Sequence, residues 1–228
     1  MIIKYLGHSG FWIKSGKTHF IVDPFVSGMP YESKINLDLL PCEYLLLTHA
    51  HQDHVQDAHD ILQKTSSTLV ANYEIATYFQ NKYNVTKAVG MNIGGKLSFE
   101  GGYVKMVSAI HSSSFADGAY GGIASGYFFE NEDVALYIAG DTALHGDMKL
   151  LPEFTSKPIV SILPIGGLFT MDMDDALKAA LMIKSSKVIG CHFDTFPPIS
   201  INHQKALSLF KTAGIDLFLM SPGEIFEI

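Results

Sequence analysis

The sequence predicts an α/β chain in which two αβ layers pack back to back as one unit over residues 1–228. Three observations carry this expectation. Short β-rich runs precede a helical pattern in the first half, and further strands precede two helices in the second. The segment Tyr44–Thr48 (YLLLT) is nearly continuous in apolar residues, as a strand covered on both faces must be. No linker, low-complexity tract or short repeat divides the chain.

The elements follow in order. Ile2–Leu6, Phe11–Lys14 and Thr18–Asp23 read as strands separated by turns at Gly7–Gly10 and Ser15–Gly16. A loop with Pro24, Gly28 and Pro30 leads to the strand at 44–48. Val55–Gln63 has helical spacing, with Asp53 placed as its N-cap, and Tyr73–Tyr83 is a second helix. Strands at Ala88–Val89, Lys96–Phe99 and Tyr103–Ala109 lead to His111, and a Gly/Ser-rich loop occupies Ser112–Gly122. Ala124–Glu130 and Val134–Ala139 form two strands around a turn at Asn131–Asp133, with Asp141 just beyond. Ile159–Leu163 is a strand, Asp172–Lys184 a helix, and Val188–Cys191 a strand ending at His192. His203–Ala213 closes the series, capped by Asn202 and stopped at Gly214.

Composition limits the function. At 47% hydrophobic and 17% charged residues, the chain buries a core and is not disordered. All 16 cationic side chains are Lys, Arg is absent, and the net charge is −7. Such a chain lacks both the basic field and the guanidinium fork of nucleic-acid binders, so a nucleic-acid partner is not expected. Two cysteines, Cys42 and Cys191, read as reduced thiols. The N-terminus has no basic region or small-residue cleavage site, and the apolar stretch Ile159–Phe169 is broken by Ser161, Pro164, Gly166 and Gly167. A cytoplasmic protein acting on a small-molecule substrate, with no membrane span, is the expectation. Self-association stays open, because apolar residues serve a core or a partner copy equally.

The chemistry concentrates in His49-Ala50-His51-Gln52-Asp53-His54. A His-x-His-x-Asp-His segment arises by chance in a chain of this composition roughly one time in a thousand. In extended backbone His49 and His51 point the same way and can grip one ion. The turn into a helix re-aims Asp53 and His54 toward a second. Imidazole and carboxylate donors suit Zn²⁺, and also Mn²⁺, Ni²⁺ or Fe. His111, Asp141 and His192 each follow a strand, and strand ends on one sheet edge converge.

These residues, with Asp23, resemble the five motifs of the metallo-β-lactamase superfamily. The segments LGHSGF, IAGDT (138–142), LPIGGLFTMD (163–172) and HFDTFPPI (192–199) resemble the bacterial metal-dependent hydrolases close to the L-ascorbate-6-phosphate lactonases. Asp194 departs from that pattern, where Asn is usual. The resemblance implies a four-layer αββα sandwich with two divalent ions, zinc foremost. It implies His49, His51 and His111 on one ion, Asp53, His54 and His192 on the other, and Asp141 between them. A hydroxide shared by the ions would be the nucleophile, and Asp53 would orient it and pass on its proton. Asp23 would accept a hydrogen bond from a ligand histidine, and His8, in its Gly-flanked turn, would face the metals as acid or extra ligand. Thr142 is expected beside Asp141. His19, His59, His145 and His203 read as structural or solvated.

The expected activity is hydrolysis of a small lactone, ester or phosphoester. The alternatives are a phosphodiesterase or nuclease, which the absent Arg and acidic charge oppose, and an iron-dependent sulfur dioxygenase on the same donors. A non-catalytic metal-binding protein would lack one of the expected ligands, and none is lacking.

Overall fold

The computed structural model describes residues 1–228, and its strands form two seven-stranded sheets. The first contains β1 (Ile2–Gly7), β2 (Gly10–Ser15), β3 (Thr18–Val22), β4 (Tyr44–Leu46), β5 (Thr68–Asn72) and β6 (Ala88–Met91) in sequence order. The second runs from β7 (Lys96–Phe99) through β8 (Gly102–Ser108), β9 (Ser125–Asn131), β10 (Ala135–Ile138), β11 (Ile159–Pro164) and β12 (Lys187–Cys191) to β13 (Asp216–Phe218). The last strand, β14 (Ile225–Glu227), returns to the first sheet and pairs antiparallel with β1, Ile3 facing Phe226. The helices are α1 (Gln52–Val55), α2 (Ala58–Lys64), α3 (Tyr73–Tyr83), α4 (Met173–Ile183) and α5 (His203–Thr212).

Strand alternation builds the four layers. Phe20 and Val22 of β3, with Tyr127 and Phe129 of β9, enter the cluster between the sheets. Ile21 packs instead against α2 and α3 residues Ile61 and Phe79. Phe128 turns to the side of Ala176, Ala180 and Phe210 on α4 and α5. Three apolar interfaces thus hold two sheets between two helical layers, the metallo-β-lactamase αββα sandwich.

The helix expected at 55–63 is broken. Asp57 spends its carboxylate on the Val26 and Ser27 amides, 2.6 and 3.1 Å away, and its own amide donates to Pro24 O. The chain therefore bends between α1 and α2. Asp53 is not an N-cap: it lies inside α1, whose preceding residue is His51, and its carboxylate is drawn to His8. Three strands, β5, β13 and β14, were not expected from the pattern, being short or lying directly against a helix. The helices α4 and α5 carry the expected caps, with Asp172 accepting from Asp174 and Asp175 amides and Asn202 from the Lys205 amide. No helix is long and apolar enough to cross a membrane.

Strands β3 to β6 are mutually parallel, as are β10 to β13. Their C-terminal ends share one edge, where crossover loops leave room for a site.

Candidate metal centre

Asp23 follows β3, His49 follows β4, Asp141 follows β10 and His192 follows β12. His8 joins them from the turn between β1 and β2, and His111 from the loop after β8. Three of these, His8, Asp23 and His192, hold left-handed backbone at φ of 53°, 44° and 53°. Such conformations cost on the order of 1–3 kcal/mol each and persist where surrounding contacts enforce them. The His192 amide donates to His8 O, which also accepts from the Tyr5 hydroxyl, so the two turns lock each other.

At the centre lies Asp141. Its Oδ2 is 3.1 Å from His192 Nε2, 3.3 Å from His54 Nε2, 3.6 Å from His111 Nε2 and 3.9 Å from His49 Nε2. His54 Nε2 and Asp141 Oδ1 are buried at this centre with no hydrogen-bond partner. Two donors bound at about 2.0–2.2 Å to one tetrahedral ion stand roughly 3.3–3.6 Å apart; His54 and His111 lie at such distances from Asp141 Oδ2, His192 slightly nearer and His49 slightly farther. An unpaired buried donor or acceptor costs on the order of 1–3 kcal/mol, which a shared cation would remove. The residues present therefore fit divalent ions.

The donors divide into two groups. Atoms of His49, His51 and His111 lie within 4.8 Å of one another, as do those of His8, Asp53, His54 and His192. Burial pushes the His49 imidazole well below its usual range, and also lowers His51 and His111. Neutral imidazoles keep the lone pair that a metal requires. Burial opposes charge on His54 too, but the Asp141 and Asp23 carboxylates outweigh it and raise that histidine. Asp141 is held well below the carboxylate range because the His54 and His192 charges outweigh its burial.

Hydrogen bonds behind these residues fix their orientation. Asp23 Oδ2 accepts from His54 Nδ1 at 2.8 Å and from the Thr48 hydroxyl at 2.5 Å, leaving His54 Nε2 facing the site. Thr48 Oγ1 is in turn 3.0 Å from His49 Nδ1. Thr142 Oγ1 accepts from the Ile110 amide, tying Asp141's loop to that of His111. His8 is buried, with Nε2 3.0 Å from Asp53 Oδ2 and Nδ1 2.9 Å from Thr195 Oγ1. An ionised Asp53 can only accept, so the ring proton sits on Nε2 and Nδ1 is left to accept from the Thr195 hydroxyl. Burial lowers His8 to about 4, so the pair is a neutral imidazole donating to a carboxylate.

Thr195 and Thr48 received no role from the sequence, and the Ser112 hydroxyl lies 3.2 Å from His51 Nε2. The HFDTFPP segment was a signal for Thr195, without a partner to attach it to. Asp194 is engaged elsewhere, accepting from the Ile201 amide and lying 2.5 Å from His203 Nε2. His19 pairs with Glu43, His59 stacks on Tyr83, and His145 opens the 3₁₀ segment Gly146–Glu153. Cys42 and Cys191 are free.

Fold and donor set together define a metallo-hydrolase of the β-lactamase superfamily, whose domain model matches residues 18–193. More narrowly, the chain belongs to the UPF0173 metal-dependent hydrolases, and it is a metal-dependent hydrolase. It is 47% identical to a member from Flavobacterium johnsoniae over 229 residues, covering both chains completely. A Thermus thermophilus member is 39% identical over 226 residues, covering 99% of this chain and 98% of its own. Among solved structures, the metallo hydrolase Igni18 from Ignicoccus hospitalis superposes with TM-score 0.84 at 29% identity, covering 100% of this chain and 98% of its own. An isothiocyanate hydrolase from Delia radicum gut bacteria shares the fold, at TM-score 0.77 and 17% identity, covering 100% and 99% of the two chains.

Proposed function

We propose that the protein hydrolyses a small lactone, ester or phosphoester with two divalent ions, zinc foremost, and that it works in the cytoplasm. His49, His51 and His111 would hold one ion, Asp53, His54 and His192 the other, and Asp141 would bridge them. The observation that carries this reading is the convergence of four imidazoles on one buried carboxylate oxygen, two from residues 49–54 and one each from the loops after β8 and β12. Ions bound there would supply a nucleophilic hydroxide at neutral pH and Lewis-acid stabilisation of the developing oxyanion.

The chain's own residues supply the rest. Asp53, its side chain partly open to solvent, takes the proton released at attack and returns it to the leaving oxygen. His8 holds that carboxylate in place through Nε2–H, and Thr195 fixes the His8 tautomer. Asp23 holds the His54 ring so that Nε2 faces the site. No Arg is available to clamp a nucleic-acid backbone, which favours small molecules over a nuclease role.

The test is a hydrolysis panel on metal-stripped protein reloaded separately with Zn²⁺, Mn²⁺ or Ni²⁺. Lactones and simple esters are set against phosphomonoesters and bis-aryl phosphodiesters. Metal-dependent turnover of a lactone, ester or phosphomonoester is expected; turnover confined to phosphodiesters contradicts the reading.

A further inference from the structure

We infer that the substrate carries an alkyl or aryl group beside its ester or lactone carbonyl, received by Phe169, Leu168 and Ile110. The inference rests on the hydrolytic reading above and narrows it. Its basis is the wall around the metal centre. The loop 166–172 leans on that centre from one side: a side chain at Gly166 would meet His192 O at 2.1 Å, and the Met171 amide donates to Thr142 O. Ile110, one residue before His111, is stitched to the same place, its carbonyl accepting from the Ala143 amide. Opposite, a side chain at Gly121 would lie 2.3 Å from Ala50 Cβ, between His49 and His51, which brings Ile123 to the other rim.

These rim positions are apolar and open. Leu168 is 74% exposed, Phe169 54%, Ile110 57% and Ile123 58%. Leu168 also holds left-handed backbone, φ 55°, after Gly167 at φ 70°. A branched side chain kept in that conformation and out in solvent contributes nothing to the core, and such strain concentrates at ligand contacts.

An alkyl or aryl group covers this apolar surface as it binds.

Straight-chain hydroxamates from acetohydroxamate to octanohydroxamate, titrated calorimetrically into the metal-loaded protein, test this independently of turnover. Kd should fall about threefold per added methylene. The gain should flatten in Phe169→Ser and in Leu168→Asn, the latter a residue that tolerates positive φ. A flat series, or no binding at any length, overturns the inference. Flat binding with ester turnover intact overturns it alone; steep binding with only phosphodiesters turned over overturns the ester reading instead. Light scattering that finds a dimer split by Phe169→Ser, together with a flat series, assigns the rim to a second copy of this chain and also overturns it.

Discussion

The two donor groups at the sheet edge are built differently. The Asp53, His54 and His192 side is braced from behind: Asp23 holds His54, and His8 with Thr195 holds Asp53. The His49, His51 and His111 side has no carboxylate of its own, and its bracing consists of hydroxyls, Thr48 on His49 and Ser112 on His51. Burial does not divide them as cleanly: His54, His192 and His49 are buried, whereas Asp53, His51 and His111 are half-buried. The difference teaches that one fold edge can offer one half braced by a carboxylate and an imidazole and another braced by hydroxyls alone. Asp141 belongs to neither and touches both.

Substitutions can break or sharpen this contrast. The largest loss is expected from Asp53→Ala, which removes a donor and the proposed proton carrier together. Turnover should fall on the order of 10³-fold with the circular dichroism spectrum unchanged; turnover within tenfold of the parent would remove Asp53 from the mechanism. Asp23→Asn comes next. It keeps the shape but weakens the bond that orients His54, so affinity for the second ion should fall roughly 10–100-fold by chelator competition. Equal affinities in parent and variant would show the bracing to be without consequence. His8→Ala should cost about tenfold or more in turnover while metal content stays at the parent value. Loss of an ion in that variant would make His8 a ligand, and no loss of either kind would return it to a turn residue.

Much of this edge was legible because its residues sit beside strong local patterns. His49 and His51 share a direction by strand alternation, and His111, Asp141 and His192 each end a recognisable β run. The helices α4 and α5 announce themselves by apolar spacing and by Asp172 and Asn202 as caps. The contacts that were not legible join distant segments. Thr195 reaches His8 across 187 residues, and no local pattern pairs them. The bend between α1 and α2 depends on amides of Val26 and Ser27, some thirty residues earlier. Asp53 has the residue type and position of a cap, yet the buried His8 claims its carboxylate. Local propensity yields where a buried polar group needs a partner.

The most direct test of the account is a count of bound ions. Elemental analysis of zinc-loaded protein should give two ions per chain in the parent and one in His111→Ala, which removes a proposed ligand from the hydroxyl-braced half alone. One ion in the parent, or two retained in His111→Ala, would contradict the division of the centre into two halves.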